Sequence, residues 1–328
     1  MTTKRKTLAT TLTVLCAATL VACSSSGNTS STSAAGKSII YVAPSHVGAY
    51  VAVACGVQAR ASQYGMTFTA QYATTFSAAA QTPLINAAVA AHPAVLLVSA
   101  ADTKALDVPL KRAASQGIKV ITVANGIDDH SFLTSVIEGN NTENGTKTAD
   151  LLAQLANGRT GDVAYIGFRP GGSAITDARQ KAFEAEIKKH PHLHLITPTI
   201  VGQVDATTGA AATNAILSAH PNLLGIVGSF YPMSNGMAQA LRERGVAGKV
   251  IALQMDSDPT GVDDIKNGSL SGLLAETFRD EGTAAAQQAF NAVTGKPVTT
   301  SVSTNPVVFT KDNVSDPSMQ KYIMNDHC

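Results

Sequence analysis

Five polar residues stand where predicted strands end or on the helices that follow: Asn125, Asn140, Arg179, Asp256 and Glu276. Between them they offer guanidinium and amide donors and carboxylate and amide acceptors. In parallel α/β sheets, ligands lie beyond the carboxyl ends of the strands. Because all five residues belong to that same edge, the set predicts one hydrogen-bonding cleft.

Three of these residues also have ordinary structural interpretations. Asp256 could cap the helix that follows Asp258 and Pro259. Arg179 could be a solvated charge on a helix face, and Asn125 could be a turn residue before a glycine. We favour the cleft because it explains all of the positions together.

The sequence contains little that is typical of catalysis or nucleotide binding. Residues 167–172 (Gly-Phe-Arg-Pro-Gly-Gly) lie between a predicted strand and a predicted helix. They lack both the Lys-Ser/Thr of a phosphate loop and the three-glycine dinucleotide spacing, so we interpret them as a loop that faces a ligand through backbone amides. There is no nucleophile elbow, no His-Glu-x-x-His helix and no carboxylate pair at catalytic spacing. We therefore expect a binding protein without a cofactor rather than an enzyme.

Three histidines alternate in a proline-containing segment: His190, His192 and His194. On an extended strand they would lie on one side, which would permit metal binding. A solvated turn is the simpler interpretation, and we predict no metal site here.

The chain as a whole predicts two α/β lobes. Short apolar or β-branched runs alternate with helical stretches at intervals of roughly 25–30 residues, which is typical of doubly wound parallel sheets covered by helices. The length of 328 residues favours two such units. Residues 132–137 interrupt the alternation and are a candidate crossing between the lobes.

Composition restricts the partners. Lys and Arg number 24 and Asp and Glu 23, so no charge excess favours nucleic acid or an acidic membrane surface. Only 14% of the residues are charged, against about 25% in typical soluble domains. Hydrophobic residues make up 45%, which is ample for a large core.

The N-terminus has the pattern of a secretory signal. Three basic residues precede an apolar run over residues 8–21, which is shorter than the ~20 residues of a membrane-spanning helix. Leu-Val-Ala-Cys at residues 20–23 resembles the lipobox of bacterial lipoproteins. We predict a signal peptide over residues 1–22, lipidation of Cys23 and a flexible tether over residues 23–36, which together place the domain outside the cytoplasmic membrane. The alternative is an ordinary signal peptide with a chance cysteine.

Two further cysteines remain in the mature chain, Cys55 and Cys328. Disulfides persist outside the cytoplasm, and a bond between them would join the C-terminal segment to the first helix. Pairing is our hypothesis, and two free thiols are the alternative.

Several segments resemble the type-I periplasmic sugar-binding proteins, the ribose-binding group that shares its fold with the effector domains of lac-repressor-type regulators. The resemblance covers about residues 37–312. The segments that carry it, in chain order, are residues 81–99, 113–125, 136–145, 179–183 (Arg-Gln-Lys-Ala-Phe, similar to the family's Arg-x-x-Gly-Phe), 219–227 and 265–276.

The resemblance implies roles for the cleft residues. Arg179 matches the family's ligand arginine, whose fork can hold two sugar oxygens, and Asp256 matches its ligand aspartate. Asn125 stands where the family has an aspartate, and Glu276 where the ribose-binding group has a glutamine. Asn140 is expected to assist these groups.

The resemblance also implies aromatic cover for the sugar. Tyr50 matches one of two neighbouring aromatics, while Ala49 replaces the other. Phe230 and Tyr231 replace an Asn-Asp pair, and His46 lies in the same predicted loop as Tyr50. These departures favour neutral polyols, pentoses or amino-bearing ligands over ribose itself.

By this resemblance the protein is a lipid-anchored binding subunit that captures a small neutral sugar or polyol and presents it to an ABC permease with its ATPase subunits. The expected lobes are residues 37–139 with 277–301, and residues 140–276 with 302–328. They would be joined by three crossings near residues 139–140, 276–277 and 301–303. The alternatives are a sensory module for a chemoreceptor or kinase, and a binder of a signalling furanose or nucleoside. The signal stands where a repressor would have its DNA-binding domain, so we expect no nucleic-acid partner.

Overall fold

A computed structural model describes residues 33–168, 174–197, 200–201 and 205–328. The predicted signal peptide, Cys23 and residues 24–32 of the predicted tether lie outside these residues, as does most of the loop at residues 167–172. The predicted tether ends earlier than residue 36, because Ala34 is buried in the core of the first lobe. Among the described residues, no helix combines the length and the apolar character needed to cross a membrane.

Strands and helices alternate along most of the chain, as the sequence pattern predicts. The strands are β1 Ser38–Ala43, β2 Thr67–Tyr72, β3 Val95–Val98, β4 Lys119–Val123, β5 Ser135–Gly139, β6 Gly161–Gly167, β7 Leu193–Leu195, β8 Ile200–Val201, β9 Gly225–Gly228, β10 Ile251–Met255, β11 Gly272–Ala275, β12 Ser301–Thr304 and β13 Val307–Thr310. The helices are α1 Gly48–Gln63, α2 Ala78–Ala90, α3 Asp107–Ser115, α4 Asn141–Ala156, α5 Ala174–Ile187, α6 Ala206–Ala219, α7 Tyr231–Glu243, α8 Pro259–Asn267 and α9 Phe278–Thr294, followed by a 3-10 helix over Pro317–Tyr322.

The strands form two sheets, which confirms the predicted fold class. The first sheet has the order β12-β5-β4-β3-β1-β2, and all of its described pairings are parallel. The second has the order β13-β11-β10-β9-β6-β7, with β8 beside β6, and only its β11–β13 pairing is antiparallel among the described strands. Central strands such as β3 are wholly buried, because helices cover both faces of a parallel sheet.

Helices pack on both faces of each sheet. In the first lobe, α1 and α9 share one hydrophobic core and α2 and α3 share another. In the second lobe, α6, α7 and α8 cover one face and α4 and α5 cover the other. The carboxyl ends of the strands are thereby left as the place where polar side chains can gather.

The third crossing lies later than expected. Strand β12 pairs with β5 from Ser301 to Thr304, and β13 begins at Val307 in the other sheet. The chain therefore crosses at residues 305–306 rather than near 301–303, and residues 302–304 belong to the first sheet. Parallel pairing with Val136–Gly139 of β5 keeps these residues in the first lobe. Residues 132–137, interpreted as a crossing, lead into β5 itself, which is an ordinary parallel strand of that sheet.

The C-terminal segment touches both lobes, although the sequence assigned it to the second. Met319, Tyr322 and Ile323 pack against the second-lobe core, whereas Met324 packs against the first-lobe core. A disulfide joins Cys328 to Cys55 of α1, with their Cα atoms 5.5 Å apart. This is the pair of cysteines that the sequence analysis hypothesised to be bonded.

Candidate functional site

Arg179 lies in α5 with only 1% of its surface exposed. Close packing of α4 against α5 places it there: a Cβ on Gly145 of α4 would lie 2.1 Å from the carbonyl oxygen of Arg179. Only a glycine allows this approach. The interpretation of Arg179 as a solvated helix-face charge is therefore wrong.

The guanidinium of Arg179 holds two carboxylates. Its Nη1 lies 3.0 Å from Oδ2 of Asp256, and its Nη2 lies 2.9 Å from Oδ1 of the same residue. Nη2 also donates to Oε2 of Glu276, and Nε donates to Oδ1 of Asn141 at 2.9 Å. The fork expected to hold two sugar oxygens is thus largely engaged by the protein's own groups.

Asp256 follows β10 with a left-handed backbone, at φ 65°. This conformation costs a non-glycine residue free energy, although Asp tolerates it better than most, and such positions cluster at functional sites. The cap of α8 is Asp258, whose Oδ1 accepts from the amide of Gly261 at 3.1 Å. The capping interpretation of Asp256 is therefore wrong, and its carboxylate is directed to Arg179.

Glu276 follows β11 and is 4% exposed. Its Oε1 lies over the Cα of Gly139, where an added Cβ would approach it to 2.1 Å. Burial raises the pKa of Glu276 to about 7, even though the positive charge of Arg179 opposes the rise. The cluster therefore combines one guanidinium, the Asp256 carboxyl group and a carboxyl group that titrates near neutrality.

The first lobe contributes Tyr50 and Asn125. The Nδ2 of Asn125 donates to the hydroxyl of Tyr50 at 3.1 Å and lies 3.4 Å from the carbonyl of Ala100. Burial raises the pKa of Tyr50 far above its ordinary value, and the charges of Glu276 and Asp256 raise it further. Tyr50 of the first lobe thus interacts electrostatically with the carboxyl groups of the second lobe.

One exposed aromatic ring lies beside Tyr50, and a second aromatic pair lies in the same lobe. The ring of Phe76 lies 6.4 Å from it, between centroids, and is 55% exposed. The ring of His46 packs edge-on to Tyr72 at 4.6 Å. The sequence analysis noted that Ala49 replaces one of the family's two neighbouring aromatics. It did not reveal that Phe76 places another exposed aromatic ring beside Tyr50.

Phe230 and Tyr231 open α7 with their rings 4.8 Å apart. Phe230 packs against the second-lobe core, and Tyr231 packs against the first-lobe core. Tyr231 therefore contacts both sides of the lobe boundary.

Asn140 has a structural partner. Its Oδ1 caps α4 by accepting from the amide of Glu143 at 3.0 Å, and its Nδ2 lies 3.5 Å from Oδ1 of Asn305. The neighbouring Asn141, which the sequence did not single out, is the residue that contacts Arg179. A role for Asn140 in ligand binding stays a prediction.

Glu281 is a further group that the sequence pattern did not reveal. It is wholly buried in α9, on the same stripe as Phe278, Ala285 and Ala289. A carboxylate at an apolar stripe position of a predicted helix was the signal that could have found it.

Within the described ranges, His190 is the one of the three alternating histidines that joins a group of possible ligands, with Asp150 and Glu186. His190 and His192 lie outside β7, and His194 lies within it with an exposed side chain. Asp150 is exposed, whereas Glu186 and His190 are half-buried.

Two α/β lobes, three crossings and a buried polar cluster at their boundary are typical of a two-lobed binding protein. Residues 39–297 match the family model described as "Periplasmic binding protein domain". The chain belongs to this family, whose members bind ligands rather than catalyse reactions.

Individual relatives agree with the family. The D-allose-binding periplasmic protein of Escherichia coli (strain K12) is 25% identical over 185 residues, which cover 54% of this chain and 58% of that relative. The match thus spans less than two thirds of that relative's length. An ABC transporter solute binding protein from Agrobacterium vitis, bound with alpha-D-tagatopyranose, is 28% identical, with a TM-score of 0.78 over 88% of this chain and 99% of that one. A carbohydrate transporter solute binding protein from Agrobacterium Radiobacter, in complex with D-arabinose, is 26% identical, with a TM-score of 0.76 over 89% and 99%.

Proposed function

We propose that the protein captures a small neutral sugar or polyol between its lobes and presents it to an ABC permease with its ATPase subunits. The observation that carries this proposal is the buried cluster of Arg179, Asp256 and Glu276, which faces Tyr50 across the lobe boundary. A ligand that bonds to both sides stabilises the closed form, because only that form makes all of the bonds.

Charge defines the ligand class. One guanidinium and two carboxyl groups give the cluster no positive excess, which disfavours phosphorylated and acidic sugars. Carboxylates accept hydrogen bonds from hydroxyl groups, and Tyr50, Phe76, Phe230 and Tyr231 can cover the carbon face of a sugar ring. The neutral sugars named for the relatives (allose, tagatose and arabinose) fit this chemistry.

The anchor is part of the proposal. Cys23 after a short apolar run supports a lipidated N-terminus, and residues 24–36 are nearly all small or polar. Such a composition is typical of a flexible tether. The domain would then remain at the membrane surface, close to its permease.

A ligand screen tests this function. D-allose, D-tagatose, D-arabinose, polyols and nucleosides are added to the mature protein, and its thermal midpoint is recorded. A ligand at about 100 times its Kd stabilises the fold by ~2.7 kcal/mol. Since the chain has no Trp, calorimetry then supplies the Kd.

A matched pair of variants locates the site. Asp256→Asn keeps the shape of the side chain and removes its charge, so we expect the Kd of the identified sugar to rise about tenfold, or 1.4 kcal/mol. Asp263→Asn makes the same change at a side chain that is 73% exposed and leaves the Kd unchanged. A protein stabilised by nucleosides and by no sugar would contradict the proposed ligand class.

A further inference from the structure

Two carboxyl groups meet behind the cleft. Glu281 of α9 is 0% exposed, and its Oε1 accepts from the hydroxyl of Thr304 at 3.2 Å. Each of the two carboxyl groups also affects the pKa of the other, so Glu276 and Glu281 lie within interaction distance. Thr304 pairs with Gly139 in the first sheet, so the contact between the two glutamates lies where the chain crosses between the lobes.

This contact requires a proton. Oε1 of Glu276 and Oε2 of Glu281 are buried. In the described part of the chain, no N–H group and no hydroxyl group donates a hydrogen bond to either atom. Carboxylate oxygens only accept, whereas a protonated carboxyl group supplies one donor. A shared proton between the two groups satisfies both atoms.

The surrounding charges decide which group keeps the proton. Arg179 and Asp256 from the second lobe, and Tyr50 and Tyr41 from the first, face the pair. The guanidinium donates to Glu276, which favours the ionised form of that residue.

In the part of the chain that the structure describes, no cation donates a hydrogen bond to Glu281. Burial, with the charge of Glu276 adding to it, raises the pKa of Glu281 well above its ordinary value. Glu281 is therefore the member of the pair that holds the proton at neutral pH.

We propose that protonated Glu281 is a positioning residue for ligand binding: it donates to Glu276, holds that carboxyl group against Arg179, and makes ligand affinity fall when it ionises at alkaline pH. The effect on affinity rests on the proposed function. The protonation of Glu281 does not, because it is a property of the ligand-free protein.

The first experiment counts protons without any ligand. Unfolding exposes Glu281 to water, where it ionises, so the parent protein releases its proton on unfolding at neutral pH. The slope of the unfolding free energy against pH reports that number. Glu281→Gln keeps both a donor and an acceptor, and we expect it to release about one proton fewer than the parent at about pH 7.

Glu243→Gln is the matched control, since Glu243 is exposed on α7. It should release as many protons as the parent. If Glu281→Gln also matches the parent, then Glu281 is ionised in the fold and the proposal is overturned.

The second experiment measures the Kd of D-tagatose by calorimetry between about pH 6 and about pH 9, a range that includes the pKa of documented buried carboxyl groups. We expect the affinity of the parent to fall at the alkaline end, and the profile of Glu281→Gln to be flatter. Glu281→Leu keeps the bulk and loses the donor, so it should bind about tenfold more weakly throughout.

The two proposals fail separately. If D-tagatose does not bind to the parent, the proposed ligand is wrong, and the proton count still decides the state of Glu281. If D-tagatose binds and all three proteins share one pH profile, Glu281 does not position Glu276.

Discussion

Replacing Arg179 with alanine removes the cation between two buried carboxyl groups. The side chains of Arg179, Asp256 and Glu276 are 1%, 3% and 4% exposed, so bulk water does not screen their charges. Breaking a buried ion pair costs about 3–5 kcal/mol, because it leaves an uncompensated charge. Total stabilities are about 5–15 kcal/mol, so Arg179→Ala should weaken the whole fold as well as binding.

The cost should depend on pH. Burial holds the pKa of Glu276 at about 7 with Arg179 present, and removing the guanidinium raises it further. A carboxyl group whose pKa is higher in the folded state contributes stability below its unfolded pKa and loses it as the pH rises through the folded value. Between the unfolded-state and the folded-state pKa, the free energy of unfolding of the variant should therefore fall as the pH rises. The fall is up to about 1.4 kcal/mol per pH unit for each carboxyl group of this kind.

Urea unfolding of the parent protein and of Arg179→Ala at about pH 5 and about pH 7.5 measures this pH dependence. Both pH values lie above the pKa of a glutamate in the unfolded chain. We expect the deficit of the variant to be smaller at the lower pH. Arg112→Ala is the control: Arg112 is exposed and donates to Asn86, and such surface changes usually stay within about 0.5 kcal/mol. A deficit below about 1 kcal/mol that is equal at both pH values would refute the reasoning.

Three further predictions concern the ends of the chain and the hinge. Replacing Cys55 and Cys328 with serine removes a disulfide that spans 273 residues. The chain-entropy model gives a loss of about 5–6 kcal/mol in the free energy of unfolding, whereas typical measured losses are about 2–4 kcal/mol. Urea unfolding with and without reductant measures this loss. Cys23→Ala should move the protein from the membrane fraction to the soluble fraction; a variant that loses its signal and stays membrane-bound would contradict the lipobox. Gly139→Ala places a Cβ 2.1 Å from Oε1 of Glu276, so calorimetry should find ligand binding weakened about tenfold.

The fold could be predicted because its signals are local. Alternating apolar runs and helical stretches mark the elements, and glycines such as Gly65, Gly117 and Gly295 have the positive φ angles that end helices. The end of β12 could not be predicted in the same way. From the sequence, residues 301–304 could belong to either lobe. Their pairing with β5 is what assigns them to the first sheet.

The sequence by itself determined which residue types stand at the strand ends, and so it predicted Arg179, Asp256 and Glu276 as one cluster. Only the tertiary structure decided their partners: the guanidinium holds Asp256 and Glu276, Asn141 rather than Asn140 completes its contacts, and Glu281 stands behind them. Arg179 and Glu276 are 97 residues apart in the chain. Periodicity and capping act within a few residues, whereas a buried hydrogen bond depends on where distant elements pack, and burial then sets which carboxyl group keeps its proton.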